Sequence, residues 1–165
     1  MGRFWGFILV LLLWMGCGGN APSSNAPTSK IEADSSQTGV QLSSGEKEFL
    51  NLLNALRAES GVNPLVLDQT LLAASAHHSL YMASKSTLTH SEPKPNASAE
   101  DRIMNLGGSF SFSGENIALG ATDGTSLFDQ WYSSPAHRDN MLSEKYQFIG
   151  ISDNEGYWTA DFGGN

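Results

Sequence analysis

Three observations predict an α+β fold. Apolar residues recur at helical spacing through the first half of the chain, two β-rich runs joined by a turn close it, and 165 residues suit one ordinary domain but not two. Ser43 and Ser44 are candidate caps for a first helix, in which Phe49, Leu52, Leu53 and Leu56 fall at i, i+3, i+4 and i+7 while Lys47, Asn51, Asn54 and Arg57 take other faces. Gly61 ends that helix. Asp68 caps a second, from Gln69 to about Lys85, with Leu71, Ala74, His78, Tyr81 and Met82 along one stripe. A loop over residues 86 to 98 carries His90, Pro93 and Pro95, and Ala99 to Leu106 then forms a short helix stopped by Gly107-Gly108.

Glu115 to Leu119 reads as a short strand or extended segment following Gly114. Asp123 or Thr125 caps a further helix through Trp131, stopped before Pro135 because a residue preceding proline disfavours the helical region. Two strands, near Gln147 to Ser152 and Tyr157 to Phe162, are joined by Asp153-Asn154-Glu155-Gly156, which has hairpin chemistry. The aromatic side chains of Trp131, Phe148, Trp158 and Phe162 are expected in the core.

The first residues carry an address rather than a fold. Residues 4 to 16 are uncharged and follow Arg3; the run is shorter than the roughly 20 apolar residues that span a bilayer and fits the hydrophobic region of a secretory signal. Cys17, the single cysteine, closes the run where a bacterial lipoprotein signal places the residue that becomes the lipidated N-terminus. The expectation is therefore an exported chain, anchored to a membrane through Cys17, or secreted if Cys17 is not lipidated. Residues 18 to 44, rich in Ser, Pro, Asn, Thr and Gly, read as a flexible tether, and the folded domain is expected over residues 45 to 165. One cysteine allows no internal disulfide, so the domain must rest on its core. The formal charge of −8, without a cluster of Lys and Arg, argues against nucleic acid as a partner. An envelope component is the expected partner class: protein, cell wall or lipid.

Two segments concentrate the polar chemistry: Gly114-Glu115-Asn116-Ile117-Ala118, and Trp131 followed by Tyr132-Ser133-Ser134-Pro135-Ala136-His137-Arg138-Asp139-Asn140-Met141-Leu142. Glu115, His137 and the earlier His90 make a set of cleft candidates. Two imidazoles and a carboxylate suit a divalent cation such as zinc, with water in the fourth position. A structural reading is open for each of the three: Glu115 accepting backbone N–H groups, His137 hydrogen-bonding the following turn, and His90 as a loop residue. His78, on the apolar stripe, reads as a satisfied core histidine and His77 as a surface residue. Arg138 is expected to pair with Asp139, Glu144 or another local carboxylate. No Gly-x-Ser-x-Gly elbow or His-Glu-x-x-His helix occurs. A Ser133 or Ser134, His137 and Glu115 constellation is open by composition alone.

These two segments, with Ile149-Gly150-Ile151 and Tyr157-Trp158-Thr159-Ala160-Asp161-Phe162-Gly163, resemble the bacterial branch of the CAP superfamily, also called SCP or PR-1-like domains. The resemblance runs from about Gly45 to Gly163. It implies an α-β-α sandwich with a central cleft of two His and two Glu, which in some members binds a divalent metal. On the matching motifs, His90, Glu115 and His137 take three of those places. The fourth departs from the pattern, because eukaryotic members carry a Glu about three residues after the helix Trp, where this chain has Tyr132, Ser133 and Ser134. The resemblance thus implies a non-enzymatic, envelope-anchored binding or interaction module. A metal-dependent or Ser-His hydrolase acting on envelope material, or a lipid-binding protein, is the alternative.

Overall fold

A computed structural model describes residues 41–165, which lie within one compact unit. The signal segment, Cys17 and the tether as far as residue 40 lie outside the described residues. Among the described residues five helices and four strands follow one another: α1 (Ser44–Glu59), β1 (Val66–Leu67), α2 (Gln69–Lys85), α3 (Ala99–Asn105), β2 (Phe112–Leu119), α4 (Gly124–Ser133), α5 (Pro135–Leu142), β3 (Phe148–Asn154) and β4 (Tyr157–Gly164).

Helix starts are set by side-chain caps. Ser43 and Glu46 form a reciprocal capping box at α1, Asp68 accepts from Thr70 N and Leu71 N at α2, and Asp123 caps α4. Helix α5 was not foreseen. Pro135 reads as a stop for the preceding helix, yet a proline lacks only an N–H that the first turn leaves unpaired anyway, so the same residue opens a new helix.

The sheet order is β1-β3-β4-β2, with β1 parallel to β3 and the other pairs antiparallel. Glu155 and Gly156, at φ 52° and 81°, make the two-residue turn between β3 and β4, as a hairpin with both central residues at positive φ requires. Strand β2 begins at Phe112, three residues before the segment the sequence marks, and lies at the sheet edge.

Helices α2 and α3 cover one face of the sheet; α1, α4 and α5 cover the other. The second face holds the larger core, with Phe49, Leu53, Leu127, Trp131, Trp158 and Phe162 all buried. Burial of such side chains contributes about 1.5–3 kcal/mol each. Phe49 meets Trp131 edge-to-face at 5.0 Å, and the Trp131 and Trp158 indoles donate to the carbonyls of Ile117 and Ala121. The α2 face has a small apolar cluster, Leu71, Ala74 and Ile103, with Phe110 and Phe148 packed on it. That layer also buries Ser75, His78, Ser79, Arg102 and Asp161.

Asn54 and Arg57 correct the expectation for α1. Both are buried, on a face that includes Phe49, Leu50 and Leu53. Asn54 exchanges two hydrogen bonds with the backbone of Leu65, and Arg57 donates to the carbonyls of Asn63, Met141, Ser143 and Tyr146. Each satisfies loop backbone that would otherwise be buried unpaired.

Helix α2 crosses β3 at Gly150, where a Cβ would lie 2.0 Å from the carbonyl carbon of Leu71 and 2.3 Å from Leu72 N. Those neighbours are backbone and cannot rotate away. Gly150→Ala is therefore expected to destabilise the domain by about 3 kcal/mol or more, read as a fall in the denaturation midpoint; an unchanged midpoint would contradict this packing.

Candidate functional site

Side chains alternate along a strand, so Glu115 faces α2 and α3 while Asn116 faces α5. The site is built around that edge strand. Glu115, whose side chain is 5% exposed, accepts from His90 Nδ1 at 2.7 Å through Oε1, and its Oε2 is ion-paired with the Arg102 guanidinium. Arg102 is itself buried, and its second nitrogen donates to the carbonyls of His90 (3.3 Å) and Asn96 (3.5 Å). One guanidinium thus holds both the carboxylate and the loop that carries His90.

Behind this pair lies a second carboxylate. Glu92 takes His78 Nδ1 on one oxygen at 2.7 Å and His77 Nε2 on the other at 2.9 Å, with Arg102 Nε 3.7 Å away. The adjacent histidines, pointing apart on α2, meet on opposite oxygens of one carboxylate. His78 is fully buried, and its Nε2 reaches the Thr89 carbonyl at 2.7 Å. The ring is thus held between a carboxylate and a backbone carbonyl. It is the satisfied core histidine the stripe predicts; His77 is exposed.

Asp161 stands opposite Glu115 in the β2–β4 register and is fully buried. Ser75 Oγ donates to its Oδ2 at 2.9 Å, whereas Oδ1 has no partner that donates to it. Burial above all, then the neighbouring charge of Glu115, pushes the Asp161 carboxyl well above its ordinary 3.8. A protonated Asp161 is a donor, and Glu115 is the acceptor at hand.

His137 sits on α5, held through its backbone: Asn116 Nδ2 donates to the His137 carbonyl at 3.0 Å, and Asn140 Nδ2 bonds Asn116 Oδ1 at 2.8 Å. Its half-buried ring lies 6.2 Å from Trp131, with Nδ1 buried and unpartnered. Burial first, and then the nearby His90, lower its pKa below 6.5. The pKa of His90 moves the other way, raised chiefly by its bond to Glu115. Ser133 Oγ donates to the Asp129 carbonyl at 2.6 Å, so its hydroxyl is spent on its own helix. Arg138 departs from expectation: it donates to the Tyr132 carbonyl at 2.9 Å and lies over the Tyr132 ring at 5.6 Å.

The model of the cysteine-rich secretory protein family, CAP, matches residues 50–162. The chain belongs to that family. Two Bacillus subtilis proteins are similar at 30% identity: YkwD over 85% of this chain, and the membrane protein YlbC over 81%. The CAP chain spans 55% and 38% of those relatives' lengths. Among solved structures, an extracellular SCP-domain protein from Bacillus anthracis is similar with TM-score 0.69 at 26% identity, over 72% of this chain and 40% of that one. An outer surface protein of Borrelia burgdorferi shares the fold, with TM-score 0.68 at 20% identity over 76% of this chain and 96% of that one. The CAP fold is thus the α-β-α arrangement described above.

A metal set of His90, Glu115 and His137 does not fit the arrangement as folded. Both Glu115 oxygens are engaged, and among the described residues no group of three or more His, Cys, Asp or Glu is placed to hold an ion. Sequence reasoning missed Arg102, Glu92, Asp161 and Ser75. The one signal was Arg102 lying beside Ile103 on the buried side of a seven-residue helix.

Asp161 yields a prediction with a definite sign. Because its folded pKa is raised, the folded state keeps a proton that the unfolded state loses above 3.8, and stability falls as pH rises through the folded pKa. Asp161→Asn keeps the shape and cannot ionise. Its melting temperature relative to wild type should therefore climb as pH rises above 3.8, Asp161's ordinary value; a difference that stays flat from there to neutral pH would contradict a raised Asp161 pKa.

Proposed function

We propose that this CAP domain is an extracytoplasmic binding module, tethered to the cell envelope through Cys17, whose cleft around His90 and His137 recognises an envelope component without turning it over. The observation carrying this reading is that no nucleophilic side chain among the described residues is joined to either cleft imidazole. Ser133 is bonded to Asp129, and His137 Nδ1 is unpartnered. What the cleft offers instead is recognition chemistry. The exposed imidazole of His90 is held in a fixed orientation by Glu115, and the half-buried edge of His137 stands nearby. Export and anchoring are supported by the apolar leader that ends at Cys17, and by similar proteins described as extracellular or outer-surface.

The His90–Glu115 bond favours one second reading. A carboxylate on Nδ1 leaves Nε2 free and orients the ring as a general base, so a hydrolase acting on envelope material would use His90 to activate water.

The test is sedimentation of the protein, produced from Asn20 onward so that no acyl chain contributes, with cell-wall sacculi and with phospholipid vesicles. Retention by one of them, weakened about tenfold (roughly 1.4 kcal/mol) in a His90→Ala, His137→Ala double variant, is expected. No retention by either would remove the binding reading. Turnover of a defined peptide or ester, abolished by His90→Ala, would replace it with the hydrolase.

A further inference from the structure

We infer that Arg102 is the resident cation of this cleft: its guanidinium takes the place on Glu115 that a divalent metal would need, so the domain operates without one. The inference concerns the charge balance of the site and holds whatever envelope component the cleft binds.

Three observations carry it. First, occupancy: Arg102 is ion-paired with Glu115 Oε2, while His90 holds Oε1. Each carboxylate oxygen therefore already has a partner of the chain's own. Second, permanence: a guanidinium stays protonated at any pH the protein meets, so unlike a lysine or histidine it cannot vacate the position by losing a proton. It is also buried, and helix α3 fixes its backbone through the capping box of Ser98 and Asp101. Third, balance: Arg102 already faces both Glu115 and Glu92, and the His78 ring lies on Glu92. A dication would enter a cluster that has a fixed counter-ion.

The same arrangement makes displacement costly. To bring Glu115 onto a metal with His90 and His137, the Arg102 pair must break, leaving a buried guanidinium whose Nε already has no hydrogen-bond partner. Arg102 also holds the carbonyls of His90 and Asn96, so its departure would loosen the His90 loop that the metal requires. The residues after Trp131, Tyr132-Ser133-Ser134, bring no second carboxylate to draw in a dication. One carboxylate with one fixed cation is a closed site.

The test is calorimetric titration of zinc chloride into the full chain in mild detergent at neutral pH, without an affinity tag that binds metal. Wild type and Arg102→Lys, which keeps the charge, are expected to show no stoichiometric uptake. Arg102→Met, of similar length but neutral, is expected to gain a one-to-one site about 100-fold tighter than any residual wild-type binding, lost again when His137→Ala is added. Stoichiometric zinc on wild type that disappears in His137→Ala would overturn the inference. A folded Arg102→Met that takes up no zinc would overturn it too. If Arg102→Met does not fold, wild type decides: no uptake supports Arg102 as the resident cation, and a His137-dependent site refutes it. Because the readout is metal, failure of the envelope-binding reading would not register in it.

Discussion

The buried carboxylate of Glu115 is the constraint around which the rest of the α2 layer is arranged. Taking an ionised carboxylate out of water costs several kcal/mol unless charge and hydrogen bonds replace the water. Here Arg102 supplies the charge and His90 a donor, while Asp161, its pKa raised chiefly by burial and then by the charge of Glu115, lies across the strand pair. Each of these is in turn fixed by another element: Arg102 by α3, Asp161 by Ser75 of α2, and His90 by the carbonyl that Arg102 binds. Removing one member of such a buried pair typically costs about 3–5 kcal/mol, because the other is left uncompensated.

This explains why the two faces of the sheet differ. The α1, α4 and α5 side is a conventional apolar core closed by Trp131 and Trp158, whose indoles also satisfy strand and loop carbonyls. The α2 side buries Ser75, His78, Ser79, Arg102 and Asp161 instead. A layer of that kind contributes less apolar burial and more geometric specification, since few rearrangements keep as many of its polar groups paired. Asn116 and Asn140 carry the arrangement around the edge strand to the His137 carbonyl, while His90 bonds Glu115 on the neighbouring position of β2.

Much of the fold was legible in the sequence because it rests on local signals. Asp68 before Gln69, Ser43 three residues before Glu46, and the Asn154-Glu155-Gly156 turn announce their elements through contacts within three or four residues. The polar interior was not legible, because its partners are distant. Arg57 donates to carbonyls 84, 86 and 89 residues away, and Arg102 reaches Glu115 across the α3–β2 connection. A helical wheel assigns such residues to the solvent face. Pro135 misled for a related reason, since the residue that terminates one helix is also suited to begin the next. Of the three residues picked out, His90, Glu115 and His137, the first two are hydrogen-bonded, and the cation paired with Glu115 is a side chain of the chain itself.

The central claim is that Arg102 neutralises Glu115 and leaves no place for a metal. A crystal structure of the protein grown in excess zinc, with anomalous scattering measured at the zinc edge, tests it most directly. The account predicts Arg102 on Glu115 and no anomalous peak among His90, Glu115 and His137. A peak bonded to those three side chains, with Arg102 turned away, would contradict it.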